Sequence, residues 1–142
     1  MRSNHGSVQR SFRLSSRTLD LLDAAAAGGE ESRNALADRL LGEALRLEQH
    51  PLIRFHRAAA GRRQPLVMGT RLYVYQVMST VRTSNGDIAG AADYLGISPR
   101  LVRAAVEYYA EFSDEVDEDA AASELVERSE QARWERQQRA LA

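Results

Sequence analysis

The chain has 142 residues, 44% apolar and 27% charged, with no cysteine, which suits one ordinary soluble domain or two very small ones. The missing cysteine excludes disulfides and thiolate metal sites, and no run approaches the about 20 apolar residues of a membrane span. The N-terminus is polar and basic with no apolar signal core, so a cytoplasmic protein without a membrane partner is expected.

The net charge of −1 hides a strong segregation. Residues 1–17 carry +4, residues 18–53 carry −4, residues 54–103 carry +6, residues 104–127 carry −9 and residues 128–142 carry +2. Blocks of alternating sign suggest separate contact surfaces. Every one of the 19 basic residues is arginine; a GC-rich genome explains that equally well.

Along the chain, residues 1–6 are expected to be disordered. Val8-Gln9-Arg10-Ser11-Phe12-Arg13-Leu14 then alternates, with Val8, Phe12 and Leu14 on one side and Gln9, Ser11 and Arg13 on the other. Period two is the period of a half-buried strand. With no obvious partner in its own chain, the strand would leave its backbone N–H and C=O groups unpaired. A second copy pairing antiparallel would complete a two-stranded ribbon, and a major groove is wide enough to admit one. Ser15 or Ser16 can cap a helix with Leu19, Leu22, Ala25 and Ala26 at helical spacing, ended by Gly28-Gly29. Asn34 is the expected cap of a second helix, which carries Leu36, Leu40, Leu41, Ala44 and Leu45 on one face and runs to about Glu48. His50-Pro51 breaks the pattern.

Strand, helix, two-glycine turn and capped helix in this order resemble the ribbon-helix-helix family of DNA-binding proteins. The resemblance covers residues 7–48, within a region drawn at 7–49. It implies that Gln9, Ser11 and Arg13 touch bases. It also implies that the start of the second helix, Ser32, Arg33 and Asn34, holds a DNA phosphate through free N–H groups and the helix dipole. Arg10 departs from the pattern, standing where the family has an aliphatic residue. The competing view is a dimerisation module alone, with Arg13 a solvated charge.

Residues 50–112 read as a second region. Pro51 to Phe55 and Pro65 to Met68 look like short strands around an Ala, Gly and Arg-rich turn. A helix through Val74, Val77, Met78 and Val81 follows, then the turn Asn85-Gly86. Asp87 can cap a helix from Ile88 to Leu95, Gly96 turns the chain, and Ser98-Pro99 starts a third helix running to about Phe112. The last two helices have a helix-turn-helix look. With His50-Pro51, Gly69-Thr70-Arg71 and the Ala104-Ala105 to Tyr108-Tyr109 stretch, the region resembles the domain of unknown function 433 family, whose members often look like antitoxins paired with a PIN-like ribonuclease toxin. Gly69-Thr70-Arg71 is expected to be structural: Gly69 at positive φ, Thr70 bonding local backbone, Arg71 paired with an acid such as Glu107. The third helix is expected to pack a dimer core through Leu101, Val102, Ala105, Val106 and Tyr109. Entry of Arg100 and Arg103 into a DNA groove is the alternative.

Residues 113–119, Ser-Asp-Glu-Val-Asp-Glu-Asp, read as a solvated acidic linker. Residues 120–142 then form a helical tail with a thin apolar stripe of Ala122, Val126, Trp134 and Leu141. Trp134, the only tryptophan, stands among Arg133, Arg136 and Arg139. An exposed Trp among arginines is a frequent binding anchor; the alternative is that this helix packs back on its own domain. Antitoxins similar to those named VapB end in such tails. The resemblance implies a toxin-binding set of Val126, Arg133, Trp134, Arg136, Arg139 and Leu141. Arg133 or Arg136 would enter the toxin's carboxylate cluster, neutralise it and displace its metal.

No catalytic or cofactor constellation is visible: His5, His50 and His56 lack metal-ligand spacing, and there is no Gly-rich phosphate loop. The expectation is therefore a mainly α protein. An N-terminal ribbon-helix-helix would dimerise through a short β-strand, followed by a small β-hairpin with a helix-turn-helix-like bundle, then a C-terminal helical tail. As a homodimer or higher even oligomer it would bind double-stranded operator DNA and a PIN-like ribonuclease toxin, a non-enzymatic antitoxin that represses its own operon. The alternative is a stand-alone repressor whose second region oligomerises or senses a ligand.

Overall fold

The structure, a computed structural model, describes residues 6–142. The disorder expected for residues 1–6 falls, but for Gly6, outside the described residues. The chain is mainly helical and divides into two compact units, residues 1–42 and 43–142.

In the first unit, residues 6–15 adopt neither helix nor strand. The strand expected over residues 8–14 is absent from the single chain. A strand exists only as a ladder, and among the described residues nothing pairs with this segment. Helix α1 (Ser16–Ala27) starts as expected: Ser15 Oγ accepts the Thr18 N–H at 3.2 Å. It stops at Gly28, whose N–H donates to the Ala24 carbonyl at 3.3 Å. Helix α2 (Arg33–Gln49) begins earlier than expected. Ser32, not Asn34, is the cap: its Oγ accepts the Ala35 N–H at 3.1 Å and its carbonyl accepts the Leu36 N–H at 2.9 Å. The short serine side chain already satisfies the orphan donor, so Asn34 lies inside the first turn. Arg33 pairs with Asp23 at 3.0 Å, and Arg39 holds Glu31 through Nε and Nη2 at 2.8–3.1 Å.

In the second unit, strands β1 (Ile53–Arg57) and β2 (Arg63–Val67) form an antiparallel hairpin. Its register pairs Ile53 with Val67, Phe55 with Pro65 and His56 with Gln64. β1 begins and ends two residues later than expected, and β2 begins two residues earlier. The tight loop between them is closed by the Ala58 N–H to the Arg62 carbonyl at 2.8 Å. Helices α3 (Val74–Thr83), α4 (Ile88–Leu95) and α5 (Pro99–Leu141) pack against one another, and α3 and α5 also against the hairpin. The core is Ile53, Val67, Val74, Val77, Ala91, Val102, Ala105 and Tyr108, each fully buried.

The turns form where the sequence marks them. Asn85 and Gly86 take φ of 54° and 81°, and Gly96 ends α4 at φ 68°. Asp87 stands at the start of α4 without a side-chain cap bond. Ser98 Oγ accepts the Arg100 N–H at 3.1 Å, with Pro99 next in line. Gly69 has φ 77°, and Thr70 Oγ1 donates to the Val67 carbonyl at 2.8 Å and accepts the Leu72 N–H at 3.0 Å. Arg71 is exposed and makes no ion pair with Glu107, contrary to expectation.

The largest correction concerns residues 113–119. They are not a solvated linker. α5 breaks its helical geometry at Phe112 (φ −123°, ψ 38°) and resumes at once, so the acidic run is helical. Val116 is 1% exposed and Asp119 is 4% exposed. Positions three apart share a helix face, so Val116 and Asp119 point the same way. Acids beside them meet the basic block: Glu115 bonds Arg46 at 2.6 Å, Asp119 and Glu118 bond Arg62 at 3.3 and 3.4 Å, and Asp117 lies 3.7 Å from Arg82. Much of the charge segregation is therefore neutralised inside this unit rather than spread over separate surfaces.

Two outcomes follow. Val116→Ala should cost about 1.5–3 kcal/mol in urea unfolding, from lost burial plus a residual cavity, whereas a linker residue would cost nothing. Burial pushes the Asp119 carboxyl up to about 6, with Arg62 opposing. The folded chain thus binds that proton more tightly than the unfolded chain. Its contribution to stability should fall by roughly 2–3 kcal/mol as pH rises from about 4 to about 6, then level off. Denaturation midpoints of Asp119→Asn across that range should lose this decline.

Candidate functional site

Two exposed surfaces and one buried cluster hold the chemistry. The first surface is the N-terminal segment. Every residue from Gly6 to Ser15 is exposed, including Val8 at 68%, Phe12 at 76% and Leu14 at 47%. Gln9, Ser11 and Arg13 are exposed alongside them, so burial does not separate the two alternating faces. Arg10 is also exposed, its guanidinium donating to the Gln9 carbonyl at 3.1 Å. The helices behind this segment are bare too. α1 buries no residue, α2 buries only Leu36, and Leu19, Leu21, Leu40 and Leu41 are exposed.

Ser32, Arg33 and Asn34 meet at the start of α2, all exposed. The Ser32 cap occupies the Ala35 amide, while the first helical N–H groups, of Arg33 and Asn34, have no acceptor within the helix. The Arg33 guanidinium faces Asp23 in a pair more than half exposed on both sides, the kind worth little in water. No hydrogen bond joins this group to Gln9, Ser11 or Arg13.

The second surface is the end of α5. Val126 is half-buried, while Arg133, Trp134, Arg136, Arg139 and Leu141 are exposed. Trp134 is 55% exposed and Leu141, two turns on, is 82% exposed. Packing against the rest of the unit fades beyond Val126: the polar bonds there lie within the helix, Arg128 to Glu124 and Gln131 to Glu135. The sequence reading missed Leu125, 66% exposed on the same arm. Its signal was only its place beside an otherwise narrow stripe.

The buried cluster surrounds Tyr108, and composition alone gave no sign of it. His50 Nε2 bonds Glu111 at 2.8 Å, and its ring meets Tyr108 and Phe112 edge-on at 5.1 and 5.8 Å. The Arg46 guanidinium lies over the Phe112 ring at 4.9 Å. The Tyr108 hydroxyl is buried without a partner, and burial pushes its pKa up, so it stays protonated. These groups lock the break in α5 to the end of α2.

The helix-turn-helix-like pair packs into the unit's own core. Val102 and Ala105 are buried, while Arg100 and Arg103 are exposed. Asp93 and Glu107, also exposed on these helices, offset the two arginines. Among the described residues no group of His, Asp or Glu could hold a metal ion, and no helix is long and apolar enough to cross a membrane. No family model, no curated protein and no solved structure matches the chain.

Proposed function

We propose that the chain is the antitoxin of a type II toxin–antitoxin pair, acting by binding rather than catalysis. Its tail would neutralise a PIN-like ribonuclease, and its N-terminal unit would repress the operon by binding operator DNA. The observation that carries the reading is the uncovered apolar set of the first unit: Val8, Phe12 and Leu14 alternating along a segment without a ladder, beside helices that bury only Leu36. A second copy pairing antiparallel through residues 8–14 would cover those side chains and satisfy the backbone. The ribbon so formed would turn Gln9, Ser11 and Arg13 outward in duplicate, toward base edges of a major groove. The free N–H groups at the start of α2 suit a flanking phosphate, with Arg33 exchanging Asp23 for it.

At the other end, Trp134 and Leu141 would fill an apolar groove on the nuclease. Arg133 or Arg136 would enter its metal-binding carboxylates, a charge-assisted contact that competes with metal and RNA together. The exposed arm that carries these residues supports this reading.

Arg13→Ala should weaken operator binding in gel-shift titration by about 1–3 kcal/mol if the guanidinium holds a base in bidentate fashion; unchanged binding removes Arg13 from that role. Deleting residues 128–142, which spares Val116 and Asp119, should preserve operator binding and abolish neutralisation when the chain is co-expressed with its toxin. Protection by the truncated chain would refute the tail as the inhibitory element.

A further inference from the structure

Residues 51–86 contain six arginines and no acid. Three of the six are neutralised by carboxylates from elsewhere in the unit: Arg62 by Asp119 and Glu118, Arg63 by Glu43, Arg82 by Asp117. The other three are exposed and meet no carboxylate. Arg54 donates only to the Ile53 and Pro51 carbonyls, at 2.8 and 3.2 Å, and Arg57 only to the Gly61 carbonyl, at 2.9 Å. Arg71 precedes the bridge that adds Tyr73 to the hairpin.

The register sets Arg54 in one row with an aromatic ring. Arg54 pairs with Leu66, and Leu66 bridges Tyr73 on its other side, so the three residues form one row across the sheet. His56 pairs with Gln64 in the next row of the same face. The rows are tied by a 2.9 Å bond between His56 Nδ1 and the Tyr73 hydroxyl. The Tyr73 and Tyr75 rings lie nearly parallel, 12° apart with centroids 6.0 Å apart, and both side chains are partly exposed. Gln64 is fully buried, and neither its amide oxygen nor its amide nitrogen has a partner.

We propose that this outer face of the hairpin binds single-stranded nucleic acid. A base would stack on the Tyr73–Tyr75 pair, and Arg54 and Arg71 would hold the backbone phosphates. Unpaired arginines beside parallel aromatic rings are the combination that single strands favour, because every base has a face to stack while duplex bases are already stacked. The acids of the unit lie in other segments, so nothing in residues 51–86 repels the phosphates. The site is separate from Gln9, Ser11 and Arg13 and does not depend on the N-terminal unit binding DNA.

The test is fluorescence anisotropy of the full chain with a fluorescein-labelled single-stranded RNA 12-mer, and with DNA of the same sequence, single-stranded and duplex. Salt-sensitive binding of the single strands is expected, with Tyr73→Leu weakening it about 5- to 150-fold, the range that one stacked base supplies. The double variant Arg54→Gln, Arg71→Gln, at exposed positions that leave the core intact, should weaken binding and lower the salt slope by about 0.7 for each phosphate no longer held. Circular dichroism shows whether each variant keeps its helices; if Tyr73→Leu does not, the arginine pair decides. Arg13→Ala should leave single-strand binding unchanged even where it abolishes duplex binding, which separates this site from the operator-binding reading. Absence of single-strand binding, binding indifferent to the arginine pair, or tighter duplex binding abolished by the same variants would overturn the proposal. So would weakening on the arginine substitutions with a folded Tyr73→Leu neutral, since the face would then be a bare charge patch.

Discussion

The second unit depends on the return of α5 onto its own domain after Phe112. Val116 and Asp119 are buried there, and Glu115, Asp117 and Glu118 reach Arg46, Arg82 and Arg62. Magnitudes decide which part holds it. Each partly exposed ion pair contributes about 0–1 kcal/mol, while burying a side chain such as Val116 contributes about 1.5–3 kcal/mol. Apolar burial, with the Tyr108, His50 and Phe112 rings around it, therefore holds the arm down, and the ion pairs select where it lands. Asp119 is the exception that costs: its carboxyl is pushed up by burial, so Arg62 only partly offsets the lost hydration.

The first unit obeys the opposite logic. Its helices are well started and stopped, by Ser15, Gly28 and Ser32, yet they enclose almost nothing. Local signals can shape a helix, but they cannot supply a core, and most helical stability in proteins comes from packing an apolar face. Leu19, Leu21, Leu40 and Leu41 on α1 and α2 are exposed, as are Val8, Phe12 and Leu14. That exposure is what gives the repressor reading its weight.

The free charges fall in different places from those that composition suggested. The acidic run is largely spent inside the protein, and so are half the arginines of residues 51–86. Arginines that meet no carboxylate include Arg54, Arg57 and Arg71 around the hairpin, Arg10, Arg13 and Arg17 in the first unit, Arg100 and Arg103, and Arg133, Arg136 and Arg139 of the α5 tail. Apart from Arg33, which would exchange Asp23 for a phosphate, the arginines proposed to contact nucleic acid or a toxin come from these groups, because a guanidinium already facing a carboxylate has less to gain from a phosphate or a second acid.

By itself the sequence determined the elements whose causes are local. Asn85-Gly86, Gly96, Ser98-Pro99 and Gly69-Thr70 fix φ or satisfy a nearby amide within a few residues, so the bounds of α1 and α4 and the start of α5 could be read directly, the strands only to within two residues. The cap of α2 was misread because Ser32 and Asn34 are both competent, and only the bonded geometry chooses between them. The Gln64 and Tyr73 face was illegible because its rows are set by strand register, not by spacing. Tertiary structure alone decided residues 113–119: an acidic linker and an acidic helix share one composition, and the arginines that choose between them lie 56 and 69 residues away in the chain. The segment at Val8–Leu14 stays without a ladder for a related reason. Among the described residues nothing pairs with its backbone, and a strand cannot form alone.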